Sequence, residues 1–371
     1  MAPSAQQEQA SYFVGLMSGT SADGVDGVIV RFFRNEIEII ATEALAFNDS
    51  FSNEITQLFT PAANEIDRLG SLDKKLSELY AECVNSLITK AKLTPAQITA
   101  IGNHGQTIRH RPFIETPFTL QIGDASELAI RTRIPVVSDF RRADIALGGQ
   151  GAPLTPAFHK AAFGSDKANR CIVNIGGIAN ITQLPIQGEV TGWDTGPGNG
   201  LMDAWIRKHL NKPYDKNGDW AASGNINTTL LEQLLSHPYL KKRPPKSTGK
   251  EEFTLEAITP YAKGISAKDV QATLLEFSAI TIAQGINEGG AKSAYVCGGG
   301  VFNTYLISRI KVHSVNIKIQ STQALGIAPS WVEAAAFAWL AHQFWHRLPG
   351  NLPSVTGASR AGILGCLTLP A

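Results

Sequence analysis

The chain contains 371 residues, of which 43% are hydrophobic and 18% are charged, and its formal net charge is +1. This length exceeds that of a single hydrophobic core, and the balanced charge gives no indication of a nucleic-acid or membrane surface. The polar first ten residues do not have the basic start and apolar run of a secretory signal, and no apolar stretch reaches the roughly 20 residues that a transmembrane helix needs. Four widely spaced cysteines are typical of reduced thiols, so we expect a cytoplasmic protein.

Strand patterns open the chain. Tyr12–Leu16 is apolar and ends in a turn rich in glycine and hydroxyl residues, and apolar residues recur from Val25 to Phe32, which together predict a β-hairpin. A third predicted strand, Ile37–Phe47, follows, and then apolar residues at three- and four-residue spacing from Leu69 to Leu87 predict a helix. The rest of this half alternates, with predicted strands near Ile98–Gly102, Phe118–Ile122 and Pro135–Ser138 and a helix at Ala125–Arg131.

The second half of the chain repeats this order. Three predicted strands come first again, at Cys171–Ile175, Ile178–Leu184 and Val190–Trp193, with a Gly176-Gly177 turn after the first. The remaining predicted elements are a helix at Gly200–Leu210, a helix at Val270–Asn287, a strand at Ser293–Cys297, a helix at Phe302–Val312, a strand at Val315–Ile319 and a helix at Pro329–Phe344.

This repetition predicts an α/β fold with two similar domains, each a mixed sheet flanked by helices, and a ligand site in the cleft between them. The first domain is expected to span 11–168 and to be completed by the C-terminal helix in 329–371. The second is expected to span 169–328, with an insertion around 211–267. The insertion carries a basic, proline-broken loop at 241–250, which is either a solvated surface loop or a basic flap near a phosphate or an acidic sugar.

The turn of the first predicted hairpin combines glycines, small hydroxyl residues and carboxylates. Such a turn can surround phosphate oxygens with main-chain N–H groups and hydroxyls, although a simple tight polar turn is the alternative. Asp23 or Asp26 is a candidate for holding Mg²⁺, which prefers a few carboxylates together with waters and phosphates. The candidate nucleotide-binding residues here are Gly19, Thr20, Ser21, Ala22, Asp23, Gly24, Val25 and Asp26.

Two further glycine runs are candidates for nucleotide contacts. Gly176 and Gly177 occupy the equivalent turn of the second half, so the two turns predict a phosphate clamp. The run 298–303 follows a predicted strand and precedes a helix, and its bare backbone suits the adenosine side of a nucleotide. Its candidate residues are Gly298, Gly299, Gly300 and Asn303. Neither run has the spacing of a dinucleotide fingerprint.

Asp194 is the candidate general base. It lies in the sequence 193–199, which we predict to end a strand and open a helix, and ligands of open α/β sheets bind at the carboxyl ends of strands. A helix N-cap is the alternative role for an aspartate in this position. His104, Arg141 and Arg142 also follow predicted strands and are candidate substrate contacts, whereas either arginine can instead neutralise Asp139 or Asp144.

The duplicated three-strand start and the glycine turn in each half resemble the superfamily of actin, sugar kinases and heat-shock chaperone ATPases. Within it, the segments GLMSGTSADGVD from Gly15, NHGQT from Asn103, NIGGIAN from Asn174 and DTGPGN from Asp194, together with Asp139-Phe140-Arg141, are similar to the anhydro-N-acetylmuramic acid kinase family. The similarity covers about 13–339. It implies two ribonuclease H-like domains, an ATP and Mg²⁺ requirement and a homodimer.

The resemblance further implies that 1,6-anhydro-N-acetylmuramic acid, ATP and water are converted to N-acetylmuramic acid 6-phosphate and ADP in peptidoglycan recycling. Asp194 would then deprotonate a water that attacks C1, while the released O6 attacks the γ-phosphate. Glu333 is a further candidate sugar contact, or an acidic residue that favours the helix dipole. The alternative functions are an ordinary sugar kinase acting on a free hydroxyl and, less favoured because no peptide-binding domain follows, an actin-like or chaperone ATPase.

Overall fold

The structure is a computed structural model that describes residues 10–19, 21–34, 36–244, 246–249 and 252–371. The chain forms two compact units, one made of Met1–Phe158 with Trp331–Ala371 and the other of His159–Ser330. Each unit is built on one mixed β-sheet. Every helix in the described part of the chain is too short or too polar to cross a membrane.

The first unit contains a sheet in which the described residues supply seven strands. An antiparallel meander, β3-β2-β1, is extended on the β1 side by the parallel strands β4 and β6, and β12 pairs antiparallel to β6 at the edge. A short β5 pairs with the far part of β4. The strands are β1 (Ser11–Ser18), β2 (Gly24–Phe33), β3 (Glu36–Ala46), β4 (Ile98–Arg111), β5 (Phe118–Ile122), β6 (Val136–Ser138) and β12 (Cys366–Thr368).

Helices cover this first sheet. The long helix α2 buries a stripe at helical spacing that includes Leu72, Leu76, Tyr80, Val84 and Leu87, and it packs against β2 and β3. These residues belong to one continuous apolar core with the strands. The described helices of this unit are α1 (Asp49–Thr56), α2 (Glu65–Ala91), α3 (Ala125–Thr132), α4 (Arg142–Ala146), α12 (Val332–Trp345) and α13 (Pro353–Thr356), while α5 (Thr155–Phe163) links the two units in sequence.

Two glycines explain how α12 lies directly on the strands. Gly15 in β1 and Gly102 in β4 are register neighbours. A Cβ atom on Gly15 would lie 1.9 Å from the carbonyl oxygen of Ala334, and one on Gly102 would lie 2.0 Å from that of Phe337. Because only a hydrogen fits between strand and helix at both positions, the helix backbone rests on the sheet. This contact fixes the start of α12, and with it Glu333, in the first unit.

The second unit repeats the sheet of the first. The antiparallel meander β9-β8-β7 is extended on the β7 side by the parallel strands β10 and β11. The strand order is therefore the same as that of β3-β2-β1-β4-β6. The strands are β7 (Arg170–Ile175), β8 (Ile178–Leu184), β9 (Thr191–Pro197), β10 (Ser293–Cys297) and β11 (Lys318–Ser321).

The helices of the second unit surround the buried helix α10. Ser266 caps α10 by accepting a hydrogen bond from the main-chain N–H of Asp269, and most of its residues are buried in the core of this unit. The described part of the insertion contains three short α-helices. The helices are α6 (Gly200–Leu210), α7 (Asp219–Ala222), α8 (Thr228–Leu235), α9 (Leu255–Ile258), α10 (Ala267–Glu288) and α11 (Thr304–His313).

The predicted fold class, a duplicated α/β architecture with mixed sheets flanked by helices, is confirmed by these two sheets. Two boundaries were wrong in a way that concerns the candidate site. The strand predicted to end at Gly102 continues to Arg111, and the strand predicted to end near Trp193 continues to Pro197. His104 and Asp194 therefore lie inside strands rather than after them. Both strands continue because a neighbouring strand pairs with them, β5 with β4 and β8 with β9.

Candidate active site

The turn between β1 and β2 is held from below by a buried glutamine. The Gln106 side chain accepts a hydrogen bond from Ser18 Oγ at 2.7 Å and donates one to the carbonyl oxygen of Gly19 at 3.0 Å. Gln106 lies at the point where β4 leaves β1 and begins to pair with β5. Since Gln106 and Ser18 are buried, the turn is tied to the sheet through interactions that water does not weaken.

The residues of this turn fall into two groups. Ala22 and Val25 are buried in the apolar core, so only their main-chain groups are available to a ligand. Ser21 and Asp23 are exposed, and Ser21 Oγ donates a hydrogen bond to Asp23 Oδ1 at 2.6 Å. Thr20 lies outside the described residues.

Asp26 is the carboxylate with the most perturbed titration in the first unit. Burial raises the pKa of Asp26 to about 6, and the negative charges of Asp23 and Glu333 act in the same direction. The described residues contain no cluster of three or more metal-binding side chains. Two carboxylates whose charges repel each other are nevertheless the donor set of a Mg²⁺ ion that takes its other ligands from water and phosphate. Asp23 and Asp26 therefore fit the predicted metal role.

Three of the predicted substrate residues come together in the first unit. The guanidinium of Arg141 donates hydrogen bonds from Nη2 and Nε to His104 Nε2, at 2.8 and 3.2 Å, and from Nη1 to the carbonyl oxygen of Gly151 at 2.8 Å. Burial lowers the pKa of Arg141 to about 10, while the negative charges of Glu333 and Asp144 act in the opposite direction. Arg141 therefore remains a cation at neutral pH.

His104 is neutral in this arrangement. Burial and the charge of Arg141 hold the pKa of His104 well below its ordinary value. Because Nε2 accepts hydrogen bonds from Arg141, the single ring proton of the neutral imidazole belongs on Nδ1. The ring also packs against Phe337 of α12, with 4.6 Å between ring centroids.

Arg142 and Asp144 have different surroundings. Arg142 is exposed and forms an ion pair with Asp139 at 2.8 Å, which corresponds to the charge-neutralising alternative. Asp144 is fully buried and accepts hydrogen bonds from the Gly151 N–H, the Asn351 side chain and the Thr356 hydroxyl. Asp144 thus ties the 139–151 region to the C-terminal segment, and the substrate role of Arg142 stays a prediction.

In the second unit, the turn between β7 and β8 is locked to the connection between β9 and α6. The carbonyl oxygens of Gly176 and Gly177 accept hydrogen bonds from the main-chain N–H groups of Asn199, Gly198 and Gly200 at 2.8 to 3.1 Å. A Cβ atom on Gly198 would lie 2.2 Å from the Gly176 carbonyl oxygen. The two sequence motifs that contain these residues therefore form one rigid piece of backbone.

The glycine run after β10 packs against the same turn. Cβ atoms on Gly298 and Gly300 would meet Asn174 Oδ1 at 2.3 Å and Ile175 Cγ2 at 2.2 Å, so close packing alone requires glycine at both positions. A Cβ atom on Gly299 would meet nothing within 4 Å. The Asn303 side chain caps α11 by accepting the N–H of Leu306. These residues bring the predicted adenosine run beside the 174–180 turn.

Asp194 lies inside β9, directly opposite Asn180 of β8. It is not a helix N-cap, because α6 begins at Gly200 with Asn199 as its N-cap. Burial raises the pKa of Asp194 to about 7, while a hydrogen bond from Thr248 and the charge of Lys246 act in the opposite direction. A carboxyl group that titrates near neutral pH is suited to remove a proton at that pH.

Sequence reasoning missed the residues that surround Asp194. Thr248 N–H donates to Asp194 Oδ2 at 2.8 Å, Asp194 N–H donates to the Lys246 carbonyl oxygen at 3.1 Å, and the Tyr239 hydroxyl donates to the Asp194 carbonyl oxygen at 2.7 Å. The basic loop was interpreted either as a solvated surface loop or as a basic flap. Residues 246–248 are not a solvated loop, because they form hydrogen bonds with Asp194. The available signal was the charge of the loop, but no pattern in the sequence indicated its partner.

Two units with one strand order, each with a glycine turn after its first strand, define the duplicated α/β class that includes actin-like ATPases and sugar kinases. The family model described as anhydro-N-acetylmuramic acid kinase matches residues 11–370. The chain belongs to this family, as the predicted resemblance indicated.

Curated relatives agree with the family match. The chain is 50% identical over 368 residues to the anhydro-N-acetylmuramic acid kinase of Saccharophagus degradans, covering 97% of this chain and 99% of that protein. It is 49% identical over 363 residues to the same enzyme of Shewanella pealeana, covering 96% and 98%. A solved structure, the activator of 2-hydroxyisocaproyl-CoA dehydratase from Clostridium difficile with bound ADPNP, is 14% identical with a TM-score of 0.46 and covers 88% of this chain and 92% of that one.

Proposed function

We propose that this chain is an ATP-dependent kinase that opens the 1,6-anhydro bridge of 1,6-anhydro-N-acetylmuramic acid with water and phosphorylates O6. The products are N-acetylmuramic acid 6-phosphate and ADP, as required in peptidoglycan recycling. Family membership across residues 11–370 supports the reaction. The observation that carries the proposal is Asp194, a strand-held carboxyl group whose pKa is raised by burial to about 7.

The substrate explains why a base is needed. O6 of the anhydro sugar is bonded to C1, so no free hydroxyl exists at position 6 until that bond breaks. Asp194 takes a proton from water, the water oxygen forms a bond to C1 with inversion, and the C1–O6 bond breaks. The electron pair left on O6 then forms the bond to the γ-phosphorus, and the bond from that phosphorus to the ADP oxygen breaks. The proton on Asp194 is released to solvent.

The glycine turns are proposed to align the nucleotide. Phosphoryl transfer depends chiefly on positioning and charge neutralisation, so main-chain N–H groups at Gly19–Asp26 and Gly176–Gly177 are the groups expected at the phosphates. Asp23 and Asp26 would hold Mg²⁺, which would neutralise phosphate charge when bound. Gly299, which faces open space, is the glycine of its run best placed to lie against the adenosine.

The linked cluster of His104, Arg141 and Glu333 is proposed to bind the sugar. Hydrogen bonds to His104 and Gly151 hold the Arg141 guanidinium in a fixed orientation, which suits the carboxylate of the lactyl group. Glu333 is an acceptor for a sugar hydroxyl. We assign this role to Arg141 rather than Arg142, since Arg142 is exposed and pairs with Asp139.

The test is the fate of labelled water. The protein is incubated with the anhydro sugar, ATP and magnesium in ¹⁸O-labelled water, and the product is analysed by mass spectrometry. One label on C1 of a 6-phosphosugar is expected, and Asp194→Asn is expected to lower the rate by about 10³-fold or more. Asp166→Asn, an exposed aspartate of the same unit, is the matched control and should leave the rate unchanged.

Other outcomes would change the conclusion. A phosphorylated sugar without label at C1 would show transfer to an existing hydroxyl and would place the chain among ordinary sugar kinases. Full labelling with Asp194→Asn would remove Asp194 from the role of base while leaving the reaction in place.

The homodimer rests on the family resemblance, and the cytoplasmic location rests on the four widely spaced cysteines. We propose a homodimer that acts in the cytoplasm, and sedimentation equilibrium of the purified protein at micromolar concentration tests the first of these. A mass equal to one chain would exclude the dimer.

A further inference from the structure

The insertion places a positively charged side chain beside Asp194. Residues 246–249, which we call the strap, contact β9 through one main-chain hydrogen bond, from Asp194 N–H to the Lys246 carbonyl oxygen, and one hydrogen bond from Thr248 N–H to the side-chain oxygen Asp194 Oδ2. The first bond fixes the strap to the strand and the second holds one oxygen of the carboxylate. Sequence positions 54 apart are joined in this way.

The ammonium group of Lys246 lies over the ring of Tyr239. Lys246 Nζ lies 5.0 Å from the centre of the Tyr239 ring and donates a hydrogen bond to the Leu240 carbonyl oxygen at 3.3 Å. The hydroxyl of the same tyrosine donates to the Asp194 carbonyl oxygen. A cation held on an aromatic ring keeps its position without a direct ion pair.

The positive charge next to Asp194 lowers the pKa of its carboxyl group. Among the described residues, the charge of Lys246 acts on Asp194 and favours the ionised carboxylate. Tyr239 is neutral, because burial raises the pKa of its hydroxyl further above its ordinary value. The charge of Glu288 on α10 raises the pKa of Lys246, and the charge of Lys242 lowers it. Asn180, opposite Asp194 on β8, carries no charge.

We propose that Lys246 is a positioning residue that keeps Asp194 ionised, and therefore sets the lowest pH at which the enzyme works. The proposal rests on the role of Asp194 as base. Lys246 acts through Asp194, so its removal should change the fraction of active base and leave the ionised base as effective as before.

The experiment compares pH profiles of kcat/KM for the sugar, from pH 5 to 9, in the full chain and in Lys246→Met. Loss of a nearby positive charge is expected to move the acid limb upward by about 0.5 to 1 pH unit. The rate at pH 6 should fall about three- to tenfold, whereas the plateau at high pH and the KM for the sugar should not change. Lys246→Arg should restore the acid limb, and Lys241→Met, an exposed lysine a few residues earlier, should not move it.

Each remaining result overturns a defined part of this reasoning. An unmoved acid limb in Lys246→Met, with Asp194→Asn inactive, would refute the role of Lys246 and leave Asp194 as base. A higher KM with an unmoved limb would assign Lys246 to the carboxylate of the sugar instead. Retained activity in Asp194→Asn would refute the proposed base itself, and the Lys246 proposal with it.

Discussion

Replacement of Asp194 by asparagine is expected to stabilise the protein while it removes activity. Asparagine has nearly the same shape as aspartate, and its side-chain oxygen can still accept the hydrogen bond from Thr248. It carries no charge that burial must desolvate. Since the pKa of Asp194 is raised from 3.8 to about 7, the folded protein binds this proton more tightly than the unfolded chain does.

The magnitude follows from that shift. A rise of about three pKa units corresponds to about 4 kcal/mol of lost stability above pH 7, at about 1.4 kcal/mol per unit. Partial contact of the carboxylate with solvent reduces this to about 2 kcal/mol. The sign is that of a raised carboxyl pKa: stability falls as the pH rises from about 4 to about 7. Asp194→Asn should therefore gain about 2 kcal/mol at pH 8 and roughly a third of that at pH 5.

Thermal unfolding followed by tryptophan fluorescence and circular dichroism at pH 5 and pH 8 measures the difference. A gain of about 2 kcal/mol corresponds to roughly 4–8 °C in Tm for a unit of this size. Asp166→Asn should show no pH-dependent change. If the Tm of Asp194→Asn at pH 8 equals that of the unsubstituted protein, or lies below it, the claim that burial of this charge destabilises the fold is refuted.

Three other predictions concern residues away from Asp194. Gln106→Leu should weaken the binding of a non-hydrolysable ATP analogue about tenfold, as measured by calorimetry, because the turn between β1 and β2 loses its hydrogen bonds to the buried glutamine. An unchanged affinity would show that this turn does not contribute to nucleotide binding. Glu276→Gln should lower the free energy of unfolding, measured in urea at pH 7, by about 2–3 kcal/mol. Burial raises the pKa of Glu276, but hydrogen bonds from Arg309 and a histidine outweigh burial and keep that pKa below its ordinary value. The loss of stability should therefore shrink as the pH falls towards 4, and a loss that does not depend on pH would contradict the ion pair. Gly102→Ala should lower the free energy of unfolding by more than about 3 kcal/mol, because the new Cβ would meet a main-chain carbonyl of α12. Gly70→Ala, where the Cβ would lie in open space on α2, should raise it by about 0.5–1 kcal/mol. Similar Tm values for the two variants would exclude the close contact at Gly102.

Local patterns were sufficient to predict the elements whose residues are fixed by burial alone. The spacing of apolar residues in α2 and the apolar run of β10 are properties of neighbouring residues, and the observed elements match them. The order of three strands followed by alternating elements was readable twice for the same reason. This repetition gave the fold class without any information on contacts.

The rest depended on partners that are distant in sequence. The polar segment after Gly102 looks like a loop, but Gln106 is satisfied by Ser18 and Gly19, so β4 can bury it and continue. The glycine and proline after Asp194 resemble the end of a strand, yet β8 pairs with β9 as far as Pro197. No local rule connects a basic loop to a strand 54 positions away.

The seat of α12 on Gly15 and Gly102 has a consequence for biosynthesis. The ribosome makes residues 159–330, which form a continuous unit, before it makes the helix that covers β1 and β4. During that interval the first sheet presents an uncovered apolar face, while the second unit can already close its core. Completion of the N-terminal half therefore waits for the last part of the chain, and a nascent protein stalled before residue 332 is expected to depend on chaperones.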